Sequence, residues 1–266
     1  MRKRLLYLMI LLSVPPYSLA ADTSIRLGLF PYANPAKLIE HHKSFVKHLE
    51  TSTGYRIQIL TSADYQSFLQ RTHENEFDII LTAPHFGRLA ESRDGYQRIA
   101  MTKHNVQGVY MVKSDSGIQN ISELKAKRLT IAAPSSIVYR LAEHQLREEY
   151  GLVNGKDIEI IPTGNHNNAI YAVIRGESEA AVTGINLYYG FIKARGPIVR
   201  KIGETKKLPG FMFMANSKVS VQMVQLFKNA ALDFAATDAG KTYVFHGYQE
   251  IRDKTMQKLD AYTDNL

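Results

Sequence analysis

The apolar and polar positions of the chain fall into a repeated strand-then-helix rhythm. Ile25 to Phe30 alternates with period two and ends at Pro31-Tyr32-Ala33-Asn34, the pattern of a strand and its exit turn. Asn34 followed by Pro35 opens a helix with Leu38, His42, Phe45 and Leu49 on one face, and Gly54 stops it. Tyr55, Ile57 and Ile59 alternate with Arg56 and Gln58 as a second strand, and Asp64-Tyr65 turns into a helix carrying Phe68 and Leu69. Asp78 to Leu81 is a short apolar strand closed by Thr82-Ala83-Pro84. Val106 to Lys113 reads as a longer strand that leaves this first unit.

The rhythm then repeats. A short helix at Ile121–Leu124 precedes a buried strand at Leu129–Ala133, the turn Pro134-Ser135-Ser136, and a helix from Ile137 to Tyr150. A strand at Ile158–Ile161 leads to Thr163-Gly164-Asn165-His166, which opens a helix with Ala169, Ile170, Val173 and Ile174 on one side. The strand Ala180–Thr183 and a helix bearing Tyr188 and Tyr189 follow. Pro209 to Ala215 reads as a strand running back, and Val219 to Tyr262 as largely helical. The pattern predicts an α/β protein of two lobes, each a mixed, mostly parallel sheet flanked by helices, joined by a two-strand hinge. The expected bounds are residues 21–109 for the first lobe, 110–207 for the second, and 208–266 for a return to the first, with ligand held between the lobes.

Composition adds an address. The chain has 266 residues, 45% of them hydrophobic, enough to bury a sizeable core. Arg2, Lys3 and Arg4 precede an apolar run from Leu5 to Val14 and then Ser18-Leu19-Ala20, the layout of a cleaved secretory signal over residues 1–20. The apolar run is shorter than the roughly 20 residues a membrane helix needs. Cysteine is absent, which removes disulfides, thiolate nucleophiles and Cys-based zinc sites, together with the lipid attachment point of a bacterial lipoprotein. A soluble, untethered periplasmic protein is therefore expected. The formal net charge is +8, and Arg2, Lys3 and Arg4 carry part of it. That excess suits an anionic ligand only weakly, because most charge is solvated.

The turn at Pro134-Ser135-Ser136 is the first chemical candidate. A strand that hands over to a helix through small hydroxyl residues leaves backbone N–H groups unpaired ahead of the positive end of the helix dipole, which suits an anion. Ser135 or Ser136 equally fits the ordinary preference for serine at an N-cap.

Several short motifs then recur in a familiar order: Gly28-Leu29-Phe30-Pro31-Tyr32, Asp64-Tyr65, Asp78-Ile79-Ile80 with Pro84, Ser114-Asp115-Ser116-Gly117-Ile118 with Leu124-Lys125, Pro134-Ser135-Ser136, and Thr163-Gly164-Asn165-His166. Across nearly the whole mature chain this resembles the periplasmic substrate-binding proteins of phosphate, phosphite and phosphonate ABC importers, a branch of the type 2 periplasmic binding proteins. The resemblance implies capture of a small oxyanion, without chemistry or cofactor, and delivery to an ABC permease in the inner membrane. It implies ligand contacts from Tyr65, whose hydroxyl donates to an oxyanion, from His166 and from Thr82. Tyr32, Ser135, Ser136 and Tyr139 complete the expected lining. Two departures stand out. Ser136-Ile137-Val138-Tyr139 occupies the place of the family's Ser-Thr-Ser-Gly cradle, and Thr183 stands where a carboxylate receives the ligand's amino group. A smaller oxyanion or a partly apolar anion is expected in place of an aminoalkylphosphonate.

Other readings remain open in the sequence. Tyr188-Tyr189 resembles the tyrosine pair of periplasmic ferric-ion-binding proteins, hard ligands suited to iron. The same fold also serves as a sensor for membrane histidine kinases. His41, His42 and His48 read as surface or core histidines. No Gly-rich nucleotide loop, Gly-x-Ser-x-Gly elbow or His-Glu-x-x-His helix occurs, so an enzyme is not expected. A monomer without nucleic-acid partners completes the expectation.

Overall fold

The computed structural model describes residues 24–264, so the proposed signal at residues 1–20 lies outside the described residues. The first sheet is built from β1 (Ser24–Leu29), β2 (Arg56–Leu60), β3 (Ile79–Thr82), β4 (Gln97–Thr102), β10 (Met212–Ala215) and β11 (Tyr248–Gln249), in the spatial order β11-β4-β10-β3-β1-β2. The second sheet orders β7 (Glu159–Pro162), β6 (Arg128–Ile131), β8 (Ala180–Gly184), β5 (Gly108–Lys113) and β9 (Val199–Glu204). Among the strands of the described residues, β1 pairs parallel with β2 and β3, and β6 with β7 and β8. The strands that carry the chain between lobes, β5, β9, β10 and β4, join antiparallel, so each sheet is mixed.

Helices α1 (Pro35–Thr53), α2 (Tyr65–His73) and α3 (Pro84–Asp94) follow the first three strands, and α4 (Ile137–Tyr150), α5 (His166–Ile174) and α6 (Ile185–Arg195) follow β6, β7 and β8. Local chemistry sets their ends. Asn34 accepts a hydrogen bond from Lys37 N at 3.0 Å, Asp64 from Ser67 N at 2.7 Å and Asn165 from Asn168 N at 2.9 Å. Gly54 closes α1 in the left-handed conformation, φ 75°, where a Cβ is disfavoured. The buried stripe of α1 is Leu38, His42, Phe45, Val46 and Leu49, as its 3.6-residue spacing requires.

Two crossing segments connect the sheets. Val106 and Leu208 form an isolated antiparallel bridge there, with Val106 N donating to Leu208 O at 3.0 Å and Leu208 N to Val106 O at 2.9 Å. One apolar cluster runs from the first sheet into the second, and a smaller one, including Val109, Met111, Ala181 and Tyr188, lies on the other face of the second sheet.

The carboxy-terminal stretch departs from the sequence expectation. Helix α7 (Val221–Phe234) is followed by short helical pieces, α8 (Asp238–Lys241), α9 (Asp253–Gln257) and a 3-10 turn at Asp260–Tyr262, around the edge strand β11. Thr242-Tyr243-Val244-Phe245-His246 is rich in aromatic and β-branched residues, and His246 and Gly247 adopt left-handed backbone, φ 59° and 79°, which ends helical propagation.

Candidate functional site

Every strand-to-helix handover of the parallel units points the same way, so helix N-termini from both sheets gather around one cleft. The cleft has an open outer compartment of about 1000 Å³, whose walls include Lys37, Asp64, Arg140 and Asn165. Beneath it, against the crossing strands, is an inner compartment of about 210 Å³ with Phe30, Phe86, Val138, Ile185, Phe211 and Phe245 in its walls. Tyr32, Lys37, Tyr65, Ser135 and His166 border both and form the throat between them.

Ser136 also lines the inner compartment, and its hydroxyl accepts from Val138 N at 3.3 Å, so it serves as the N-cap of α4. Helices α3 and α6 begin at Ala83 and Gly184 without any side-chain cap, and both residues border the inner compartment. The free N–H groups of their first turns add to the positive charge of Lys37, which borders the same compartment.

Apart from the Lys37 ammonium, the named throat side chains are neutral. Burial pushes the Tyr65 phenol up to about 12 and Tyr32 higher still, so both keep their protons. Burial also depresses His166 to about 4. Tyr32 Oη lies 3.0 Å from His41 Nδ1 and 3.1 Å from His42 Nε2. His41, which the helical spacing assigns to a solvated face, is half-buried and borders the inner compartment.

The structure separates the remaining expected residues from the cleft. Thr82 and Thr183 are fully buried, line neither compartment, and their hydroxyls have no hydrogen-bond partner among the described residues. Thr183 shares its strand face with Ala181, part of the cluster on the second sheet's other face, which turns the hydroxyl away from ligand. Tyr139 is also buried off the walls, packed in the large cluster one helical step beyond Val138. The iron reading is corrected: Tyr188 belongs to the smaller core cluster, Tyr189 is 52% exposed, and neither borders the cleft. Among the described residues, no three His, Asp or Glu side chains gather to hold a metal.

His85 is the site residue that sequence reasoning missed. It follows Pro84 at the start of α3, and its Nε2 donates to the Ser135 carbonyl at 2.9 Å, joining a helix of the first sheet to a turn of the second. It is 1% exposed and stacks on Phe86 with ring centroids 4.0 Å apart. Burial depresses it to about 3, the Ser135 bond opposing that shift and the Arg140 charge adding to it. The signal available was a histidine directly after the Thr82-Ala83-Pro84 turn, at a strand C-terminus where ligand chemistry gathers.

Two α/β sheets joined by two crossing segments around a lined cleft define a two-lobed binding protein. Residues 27–255 match the family described as ABC transporter, phosphonate, periplasmic substrate-binding protein, and the chain belongs to that family. Its fold is similar to that of PhnD1 from Prochlorococcus marinus, solved in complex with methylphosphonate: TM-score 0.79 at 14% identity, covering 92% of this chain and 100% of that one. It is also similar to a binding protein component of an ABC phosphonate transporter from Pseudomonas aeruginosa, with TM-score 0.76, 15% identity, and 91% and 87% of the two chains covered. A Xanthomonas citri protein bound to ATP matches with TM-score 0.73 at 17% identity, over 91% of this chain and 96% of that one.

Proposed function

We propose that the protein captures a small, carbon-substituted oxyanion of the organophosphonate class between its lobes and delivers it, as a monomer, to an ABC permease in the inner membrane. The observation that carries this reading is the inner compartment, where two uncapped helix N-termini, one from each sheet, meet aromatic and aliphatic walls. Helix N-termini favour the charged oxygens, and Phe30, Phe211, Phe245 and Val138 favour the carbon substituent. No carboxylate lines this compartment among the described residues, so nothing there balances a ligand ammonium group. A volume of about 210 Å³ suits a compact ligand.

Capture is by closure without chemistry. A ligand touching Tyr65 on the first lobe and His166 on the second favours the form in which both lobes surround it, and that form is the one a permease recognises. Titration calorimetry with methylphosphonate tests the reading: saturable one-to-one binding supports it, and no heat across the millimolar range contradicts it.

A further inference from the structure

A continuous run of hydrogen bonds leads from the throat of the cleft into the core of the first lobe. Tyr32 Oη lies 3.1 Å from His42 Nε2, His42 Nδ1 lies 2.6 Å from Tyr243 Oη, and Tyr243 Oη lies 3.1 Å from Tyr248 Oη. His42, Tyr243 and Tyr248 are each 4% exposed or less, so no solvent relieves an unmet donor there. Residues 41 and 42 come from α1, whereas Tyr243 and Tyr248 come from the carboxy-terminal segment, 201 residues from His42 in the Tyr243 contact.

The direction of these bonds follows from proton counting. Each hydroxyl holds one proton, and a neutral imidazole holds one on a single nitrogen. Burial keeps His42 neutral, depressing it to about 3. The Tyr248 hydroxyl has one hydrogen-bond partner among the described residues, the Tyr243 oxygen, so its proton must go there or remain a buried unmet donor. Tyr243 then accepts from Tyr248 and gives its own proton to His42 Nδ1, the remaining partner of its hydroxyl. With Nδ1 accepting, His42 carries its proton on Nε2 and donates it to the Tyr32 oxygen. Tyr32 therefore keeps its own proton for the outward side, where His41 Nδ1 at 3.0 Å and the ligand compete for it. The opposite polarity strands the Tyr248 proton.

We propose that Tyr248, Tyr243 and His42 act as positioning residues that fix Tyr32 as a hydrogen-bond donor toward the cleft, selecting a ligand group that accepts, such as a deprotonated phosphonate oxygen, over one that donates. The ligand part of this statement rests on the function proposed above; the polarity of the relay does not. His41 then holds the Tyr32 proton in the empty cleft and releases it to an arriving anion.

Long-range proton–nitrogen NMR of the ligand-free full chain reads the His42 tautomer directly. The expected result is the Nε2–H tautomer, and an Nδ1–H tautomer overturns the proposal. In Tyr248→Phe, which removes one hydroxyl and leaves the ring in place, His42 is expected to become a mixture of tautomers. The methylphosphonate Kd is expected to rise about twofold where half the population loses the outward donor. Tyr32→Phe is expected to lose at least as much. An unchanged His42 tautomer in Tyr248→Phe, or unchanged Kd in Tyr32→Phe, overturns the relay. A wild-type protein with Nε2–H His42 that binds no oxyanion keeps the relay's polarity and overturns the binding reading instead.

Discussion

The His85 to Ser135 bond is where one side chain bears on closure. It is a hydrogen bond at 2.9 Å between α3 of the first lobe and the β6–α4 turn of the second, so it exists only while the lobes are together. His85→Phe keeps a planar ring to stack on Phe86 and removes both nitrogens. Its Nδ1 is buried without a partner among the described residues, so losing that atom relieves a cost, and the fold of the first lobe should hold. The closed form, however, then buries an unpaired Ser135 carbonyl, whereas the open form returns it to water. That difference is about 1–3 kcal/mol, or a shift of roughly 5- to 150-fold toward the open form. Where ligand binding requires closure, the methylphosphonate Kd rises by up to the same factor. Calorimetry gives the affinity, and small-angle scattering with and without ligand gives the compaction. Unchanged Kd and unchanged compaction in a folded His85→Phe would refute the latch.

Three further outcomes follow from the geometry. Tyr65→Phe and His166→Ala should each weaken methylphosphonate binding by roughly tenfold, about 1.4 kcal/mol for a lost hydrogen bond to a charged oxygen, with little change in Tm; two misfolded variants would reassign both residues to the core. His42, His85, His104 and His166 are depressed to about 3, 3, 4 and 4, chiefly by burial, so between pH 6.5 and about 4 the unfolded chain binds protons that the fold excludes. Stability is thus full above pH 6.5 and falls on acidification, by at most about 1.4 kcal/mol per pH unit per histidine; a Tm that stays level from pH 7 to 5 counts against these burials. Gly210 sits beside the crossing strands, where a Cβ would run into Thr102 Oγ1 and lie 2.5 Å from His104 O. Gly210→Ala should cost about 1–3 kcal/mol in urea unfolding, and a neutral result would show that these segments yield easily.

Much of the architecture was legible because it is written locally. Asn34, Pro35 and Gly54 bound α1, and the caps at Asp64, Ser136 and Asn165 place helix openings that the structure reproduces. Strands β4 and β9 escaped notice because Gln97-Arg98 and Arg200-Lys201 interrupt their apolar pattern, and β11 is only two residues long. Within the site, Tyr32, Tyr65, Ser135, Ser136 and His166 border the cleft, each near a strand-to-helix handover. Thr82 and Thr183 lie off the cleft walls for a reason that alternation cannot reveal: in a strand buried on both faces, nothing local says which face meets the ligand. His85 and Tyr243 owe their roles to partners 50 and 201 residues away, and no short-range pattern encodes such pairings.

The central claim, an oxyanion site selective for a carbon substituent without an amine, is tested most directly by one thermal-shift comparison. Methylphosphonate, inorganic phosphate and 2-aminoethylphosphonate are added at equal concentration, and the rise in Tm reports binding to the native state. The account predicts the largest rise for methylphosphonate. An equal or larger rise for either of the other two would contradict the selectivity, and no rise for any of them would contradict the oxyanion site itself.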